Sequence, residues 1–265
     1  MVFSSRFLIG RHFLNEVVNT SMNSHNAVEH NGCSLKFTTP NLLNHARVDT
    51  FSTKEPETLD WIDSIPEGSI IWDIGANVGL YSCYAAKQRN CKVFAFEPSV
   101  FNLELLARNI FINNLVEKVT IVPLPLSDKL QESSLNMTST EWGGALSTFA
   151  EDYGDNGLLM DKKFEFSTLG ITMNDAVHML GIPKPDFIKM DVDGIEQLIL
   201  KAGAETLKGI QGILVEVNYD FEAQRINGKK YLSDSGLVMK SKLHSELIEN
   251  NERFCSTFNQ IWHRL

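Results

Sequence analysis

Residues 69–97 read SIIWDIGANVGLYSCYAAKQRNCKVFAFE, and this stretch decides the fold. Residues 69–74 form a short continuous apolar run, the pattern of a strand buried on both faces. A Gly-rich turn, Gly75-Ala76-Asn77-Val78-Gly79, ends it, residues 78–89 read as a helix, and 92–97 form a second buried strand closing at Glu97. Strand, tight turn, helix and strand make a βαβ unit, the building block of a parallel sheet.

The same alternation continues outward. Residues 100–114 predict a strongly amphipathic helix, 119–126 a strand, 173–180 a helix and 186–191 a strand. Residues 195–203 predict a helix, 212–218 a strand, 229–236 a helix, and 237–243 and 258–264 the last two strands. Upstream, Pro56 and the acids Glu55 and Glu57 mark a helix start, and residues 33–41 predict a short strand stopped by Pro40. Residues 1–31 are polar and irregular, predicting a tether or a short helix followed by a loop. The division that follows is an N-terminal extension over 1–56 and an α/β domain over 57–265. Short edge strands and loops are expected inserted at about 129–170, where Trp142-Gly143-Gly144 suggests a lid.

A doubly wound parallel sheet binds its ligand at the carboxyl ends of its strands, so the residues closing each strand are the site candidates. Asp73 closes the first. Asn77 stands where a dinucleotide-binding turn puts a glycine for close approach to pyrophosphate, and a carboxylate at Asp73 would repel a pyrophosphate but attract an ammonium. The turn thus favours a cation-bearing ligand over a nicotinamide dinucleotide, the ligand of the rival oxidoreductase reading. Glu97, 24 residues on, can accept from both hydroxyls of a ribose. Ser127-Asp128 follows the third strand, where Asp128 suits an adenine amino group or a plain turn. Asp191, Asp193 and Glu196 crowd the end of the fourth strand without calcium-loop spacing, and Glu216 and Asn218 close the fifth. Asp191 is the first candidate for a general base, with Glu216 and Glu196 behind it. His244 is the best-placed histidine outside this plan, and no metal site is expected.

Composition narrows the classes of function. The chain of 265 residues carries 24 Lys and Arg against 33 Asp and Glu, a net charge of -9, with no basic footprint for a phosphate backbone, so nucleic acid is not the expected partner. Cys33, Cys83, Cys91 and Cys255 show no metal or disulfide spacing, which suits reduced thiols and a cytoplasmic address. Arg6, Arg11, His12 and Glu16 interrupt the apolar start too early for a signal core or a membrane span.

Taken in order, DIGANVGLYS, FEPSVFNLELLARNIFINN, PLSD, IKMDVDGIEQLILKAG and ILVEVN resemble the FkbM family of S-adenosylmethionine-dependent methyltransferases, from about Phe51 to Trp262. The resemblance implies a Rossmann-like class I methyltransferase sheet of seven strands with the last antiparallel. It implies S-adenosylmethionine as cofactor and O-methylation of a sugar, a glycan or another hydroxylated metabolite, as in polysaccharide biosynthesis. Asp73, Gly75, Asn77 and Gly79 carry over as the cofactor loop, Glu97 as the ribose acid and Asp128 as the adenine-side residue; Ala76 within the loop, Ser127 beside Asp128, and Asp191, placed at its strand end to face cofactor and acceptor, join the candidates for cofactor binding. Asp193 stands where family members often have Glu. A catalytically silent binding subunit on the same fold is the other reading to beat.

Overall fold

The computed structural model describes residues 8–244, 249 and 253–265; the apolar start read at residues 1–7 lies outside them. Helix α1 (Leu8–Asn23) leads into a hairpin of β1 (His25–His30) and β2 (Cys33–Thr38). Residues expected to be a loop are therefore a strand. The deciding signal is Asn31-Gly32, a two-residue turn that reverses the chain in the sense of strand twist, with His30 opposite Cys33. Helix α2 (Leu42–Asp49) is capped by Asn41, whose side chain accepts from the Asn44 N–H, and α3 (Pro56–Ser64) starts on Pro56 as its sequence predicts.

Next come β3 (Ile70–Ile74), α4 (Leu80–Gln88), β4 (Lys92–Phe96), α5 (Val100–Ile112) and β5 (Val119–Val122). Strands β6 (Gln131–Met137), β7 (Ser147–Phe149) and β8 (Phe164–Gly170) follow, then α6 (Met173–His178), β9 (Phe187–Met190), α7 (Glu196–Ala202) and α8 (Ala204–Leu207). The last elements are β10 (Gly212–Asn218), α9 (Glu222–Asp234), β11 (Leu237–Leu243) and β12 (Thr257–Arg264). Seven strands form one sheet in the order β11-β12-β10-β9-β3-β4-β5, all pairs parallel except those made by β12. This is the doubly wound class I methyltransferase arrangement that the resemblance implies. The chain winds outward from β3 through β4 to β5, then restarts at β9 on the other side, which puts the switch point between β3 and β9.

Alternation along the central strands feeds two cores. Trp72, Ile74, Phe94 and Ile188 join one cluster with the residues of α6 and α7, while Ile71, Val93, Phe187 and Leu214 join the other with α3 and α4. The inserted segment does not extend the main sheet, as edge strands would. It closes a separate antiparallel sheet, β7-β6-β8, whose Leu135, Met137 and Phe149 pack into the first core. Among the described residues no helix is long and apolar enough to cross a membrane.

Asn109 on α5 and Asn113, which caps its end, clasp the N-terminal hairpin. Asn109 Oδ1 accepts from the Thr38 N–H at 2.7 Å and its amide donates to the Val78 carbonyl at 2.8 Å. Asn113 likewise accepts from the Lys36 N–H and donates to the Lys36 carbonyl. Asn109→Ala strands two backbone groups, each costing about 1–3 kcal/mol when buried without a partner. Urea unfolding is expected to show a loss of roughly 2–4 kcal/mol. A loss below about 0.5 kcal/mol, the range of neutral surface changes, would mean the clasp does not hold the hairpin.

Candidate active site

A cavity of about 460 Å³ opens at the carboxyl ends of β3, β4, β9 and β10, at the switch point, within the size range of small-molecule sites. Its floor is the turn after β3. The N–H groups of Gly75 and Ala76 both donate to the Phe96 carbonyl at 3.0 Å, which folds the turn over β4. Gly75 has φ of 82°, and a Cβ there would lie 1.8 Å from the Asp191 carbonyl oxygen. Only glycine lets this turn pass so close to the end of β9. Asn77 donates its N–H to Glu97 Oε2 at 2.8 Å and its side-chain amide to the Gly144 carbonyl at 2.9 Å, so the inserted segment is tied down as a roof.

One end of the cavity is apolar, lined by Phe96, Leu124, Leu126, Leu135 and Phe149, with Glu97 beside it. Glu97 accepts from the N–H groups of Asn77 and Ser99. Burial pushes its carboxyl up to about 7 against those donors.

The other end is charged. Asp191, Asp193, Glu216, Glu55, Lys189, Lys54, Arg47 and Tyr81 all line it. Lys189 sits under the group, 3.3 Å from Asp191 and 3.7 Å from Asp73. Burial pushes the Lys189 ammonium down, but Asp191, Asp73, Glu55 and Glu216 outweigh it and the net shift is upward. Burial raises Glu55 too, yet Lys54 at 2.6 Å, Lys189 and the Tyr81 hydroxyl hold it at about 2. Burial and then the Asp191 charge push Asp193 up to about 8 and Glu216 well above the usual carboxylate range. Asp193 adopts φ of 60°, a strained conformation for a non-glycine residue, and accepts from the Ser147 N–H at 3.1 Å, so strain is held by the inserted sheet.

The structure thus brings Gly75, Ala76, Asn77, Glu97, Asp191 and Glu216 to one cavity and leaves other expected residues out of its wall. Asp73 does not stand at the mouth. It is 2% exposed, accepts from Ser82 Oγ at 2.5 Å and pairs across the strands with Lys189, because at position 73 the β3 side chain points into the fold. Gly79 caps α4, and a Cβ there would meet Leu106 at 2.4 Å, which makes it a packing residue. Ser127 is buried against Gln131 and Asp128 lies outside the wall; Leu124 and Leu126 stand there instead. Glu196 faces inward, accepting from the N–H groups of Val192 and Gly194 and from Gln224, so it shapes the loop carrying Asp191. His244 stacks on Phe258 at 4.3 Å, away from the cavity. Trp142 packs near Met22, Val78 and Leu105, while Gly144, Ala145 and Leu146 form the roof. Arg47, Lys54, Tyr81 and Lys189 join the wall without a place in the strand-end pattern, and so does Glu55, legible only as a helix-start acid. Lys189 alone carried a visible signal, a lysine in an otherwise apolar strand.

A family model described as Methyltransferase FkbM domain matches residues 73–249. The chain is 24% identical over 191 residues to the hexuronic acid methyltransferase AglP of Haloferax volcanii, covering 72% of this chain and 70% of that one. It is 26% identical over 187 residues to the methyltransferase sdnD of Sordaria araneosa, covering 58% of this chain and 68% of that one. The crystal structure of a methyltransferase FkbM from Methylobacillus flagellatus aligns with a TM-score of 0.49 at 14% identity, over 75% of this chain and 44% of that one.

Proposed function

Because the chain belongs to the methyltransferase FkbM family, we propose that its cavity takes S-adenosylmethionine and that it O-methylates a hydroxyl of a sugar, glycan or related hydroxylated metabolite. The observation that carries this reading is the convergence of the Gly75–Asn77 turn, Glu97 and Asp191 on one cavity with an apolar end and a charged end. The cavity fits the donor: apolar side chains for a purine, a carboxylate beside them for a ribose, and acids for a sulfonium and an ammonium. Gly75, Ala76, Asn77, Glu97 and Asp191 would hold it. When bound, it supplies a methyl group on positively charged sulfur.

What remains for the chain is positioning and proton handling. Orienting two reactants is worth about 7–11 kcal/mol in well-oriented model systems. A sugar hydroxyl is a poor nucleophile until it loses its proton, and Asp191, half-buried on the cavity wall, is the base assigned to it. Burial and the Asp191 charge push the Glu216 carboxyl well above the usual carboxylate range. The name of one relative, a hexuronic acid methyltransferase, supports a sugar as the acceptor class. A methyl-donor assay over nucleotide sugars, lipid-linked glycans and hydroxylated metabolites, read by mass spectrometry, tests the reading. A protein that takes up neither the donor nor S-adenosylhomocysteine would sink it.

Glu97 gives the donor site a pH dependence with a definite sign. In the free protein its carboxyl is raised from 4.5 to about 7 by burial, so it opposes folding as pH climbs through that window. Ribose hydroxyls donate to the ionised form, so binding favours loss of the proton. Affinity for S-adenosylhomocysteine is expected to rise about tenfold from pH 6 to pH 8, with proton release at the lower pH. Calorimetry in buffers of different ionisation enthalpy reads both quantities, and Glu97→Gln should flatten the dependence. Equal affinity at both pH values in the natural chain removes Glu97 from the ribose role.

A further inference from the structure

Helix α2 brings a guanidinium to the charged end of the cavity without giving it a counter-ion. Arg47 lines the cavity, and its Nη2 donates to the Gly143 carbonyl at 2.6 Å. Its Nε is shielded from water and has no hydrogen-bond partner. Among the described residues no carboxylate oxygen lies within the 4.0 Å of an ion pair with it. The other two cations of the wall are committed, Lys189 to Asp73 and Asp191, and Lys54 to Glu55. The guanidinium is also held in place. Asn41 and Asn44 both donate to the Trp142 carbonyl, which ties the start of α2 to the residue next to the Gly143 contact.

Taking a guanidinium out of water without a counter-ion is costly, so a fold that does so reserves the place for an anion. The planar fork matches a carboxylate in two parallel hydrogen bonds, a geometry that an ammonium cannot copy. We propose that Arg47 is a carboxylate-binding subsite of this cavity. The inference rests on the methyl-donor reading above, which leaves two sources for the carboxylate: the methionine part of the donor, or an acidic sugar acceptor. Glu55, Asp191 and Asp193 act on Arg47 only from beyond ion-pair distance, so they orient the field without filling the fork.

Calorimetry on the full chain separates the sources, with Arg47→Gln as the main variant and Arg47→Lys as the one that keeps the charge. The probes are S-adenosylhomocysteine, its decarboxylated form S-adenosyl-3-thiopropylamine, and D-glucuronate or D-glucose added to the S-adenosylhomocysteine complex. If the donor supplies the carboxylate, Arg47→Gln weakens S-adenosylhomocysteine by about 10- to 100-fold and leaves the decarboxylated form unchanged. If the acceptor does, S-adenosylhomocysteine is unaffected and glucuronate uptake falls by about the same factor, while glucose does not respond. Should Arg47→Gln fail to fold, Arg47→Lys is expected to keep the fold and lose about tenfold on the same probe, since it lacks the fork. Affinities for S-adenosylhomocysteine that are alike across the folded variants, with no uptake of glucuronate that depends on Arg47, overturn the proposal. A natural chain that binds no S-adenosylhomocysteine condemns the donor reading instead, and the glucuronate arm then decides for Arg47 alone.

Discussion

Asp191→Asn is expected to cut methyl transfer by about 100- to 10,000-fold while S-adenosylhomocysteine still binds. Elimination leads to this residue. Glu55 is held at about 2 by Lys54, Lys189 and Tyr81, which makes it too weak a base. Burial and the Asp191 charge push Glu216 upward and Asp193 up to about 8, and Asp193 is also occupied by the Ser147 N–H. Glu196 is turned into its own loop. Glu97 is assigned to the ribose, which leaves Asp191, 3.3 Å from Lys189 on the cavity wall with its side chain 29% exposed. Asn keeps the shape and an acceptor oxygen, so the fold should survive and donor binding should weaken far less than turnover. Turnover that is unchanged in single-turnover assays takes Asp191 out of the chemistry.

Gly75→Ala should abolish donor binding, weakening S-adenosylhomocysteine by more than about 100-fold, the equivalent of roughly 3 kcal/mol. The new Cβ would fall 1.8 Å from the Asp191 carbonyl oxygen and 2.8 Å from its carbon. Both are backbone atoms of the strand end that carries the proposed base, and the Asp191 N–H is itself bonded to the Ile74 carbonyl. Neither side can move without opening β3 from β9 at the switch point. A positive φ adds about 1 kcal/mol of its own. Gly68→Ala is the control: φ is 77° and nothing lies within 4 Å, so only the backbone cost applies. Thermal unfolding should show the first variant falling well below the second. Equal melting temperatures and retained binding would mean the turn has slack that these distances deny.

The order of strands and helices was legible because buried parallel strands are continuous apolar runs, and the chain has little else that is apolar for five or six residues. SIIWDI, KVFAF and FIKM needed no tertiary information to be read. The first strand is not legible as one because its residues, HNAVEH, are mostly polar on both faces; only Asn31-Gly32 marks the hairpin. The inserted strands were legible as strands, but not as a sheet of their own, since pairing partners lie 10 to 39 residues apart across loops of free length.

Site residues divide on the same line. Strand-closing positions 75, 77, 97, 191 and 216 could be named from sequence, because a doubly wound sheet always delivers strand ends to one rim. Whether an acid on that rim faces ligand or protein depends on partners that sequence separates widely. Asp73 meets Lys189 from 116 positions away, Glu196 meets Gln224, and Arg47 reaches the roof at Gly143. Sequence by itself determined the fold class, the rim at which chemistry is possible and the short set of groups that could reach it. Tertiary structure alone decided which charges are paired off and which remain available, because desolvating a charge is tolerated only where a counter-charge or hydrogen bond arrives from elsewhere in the chain.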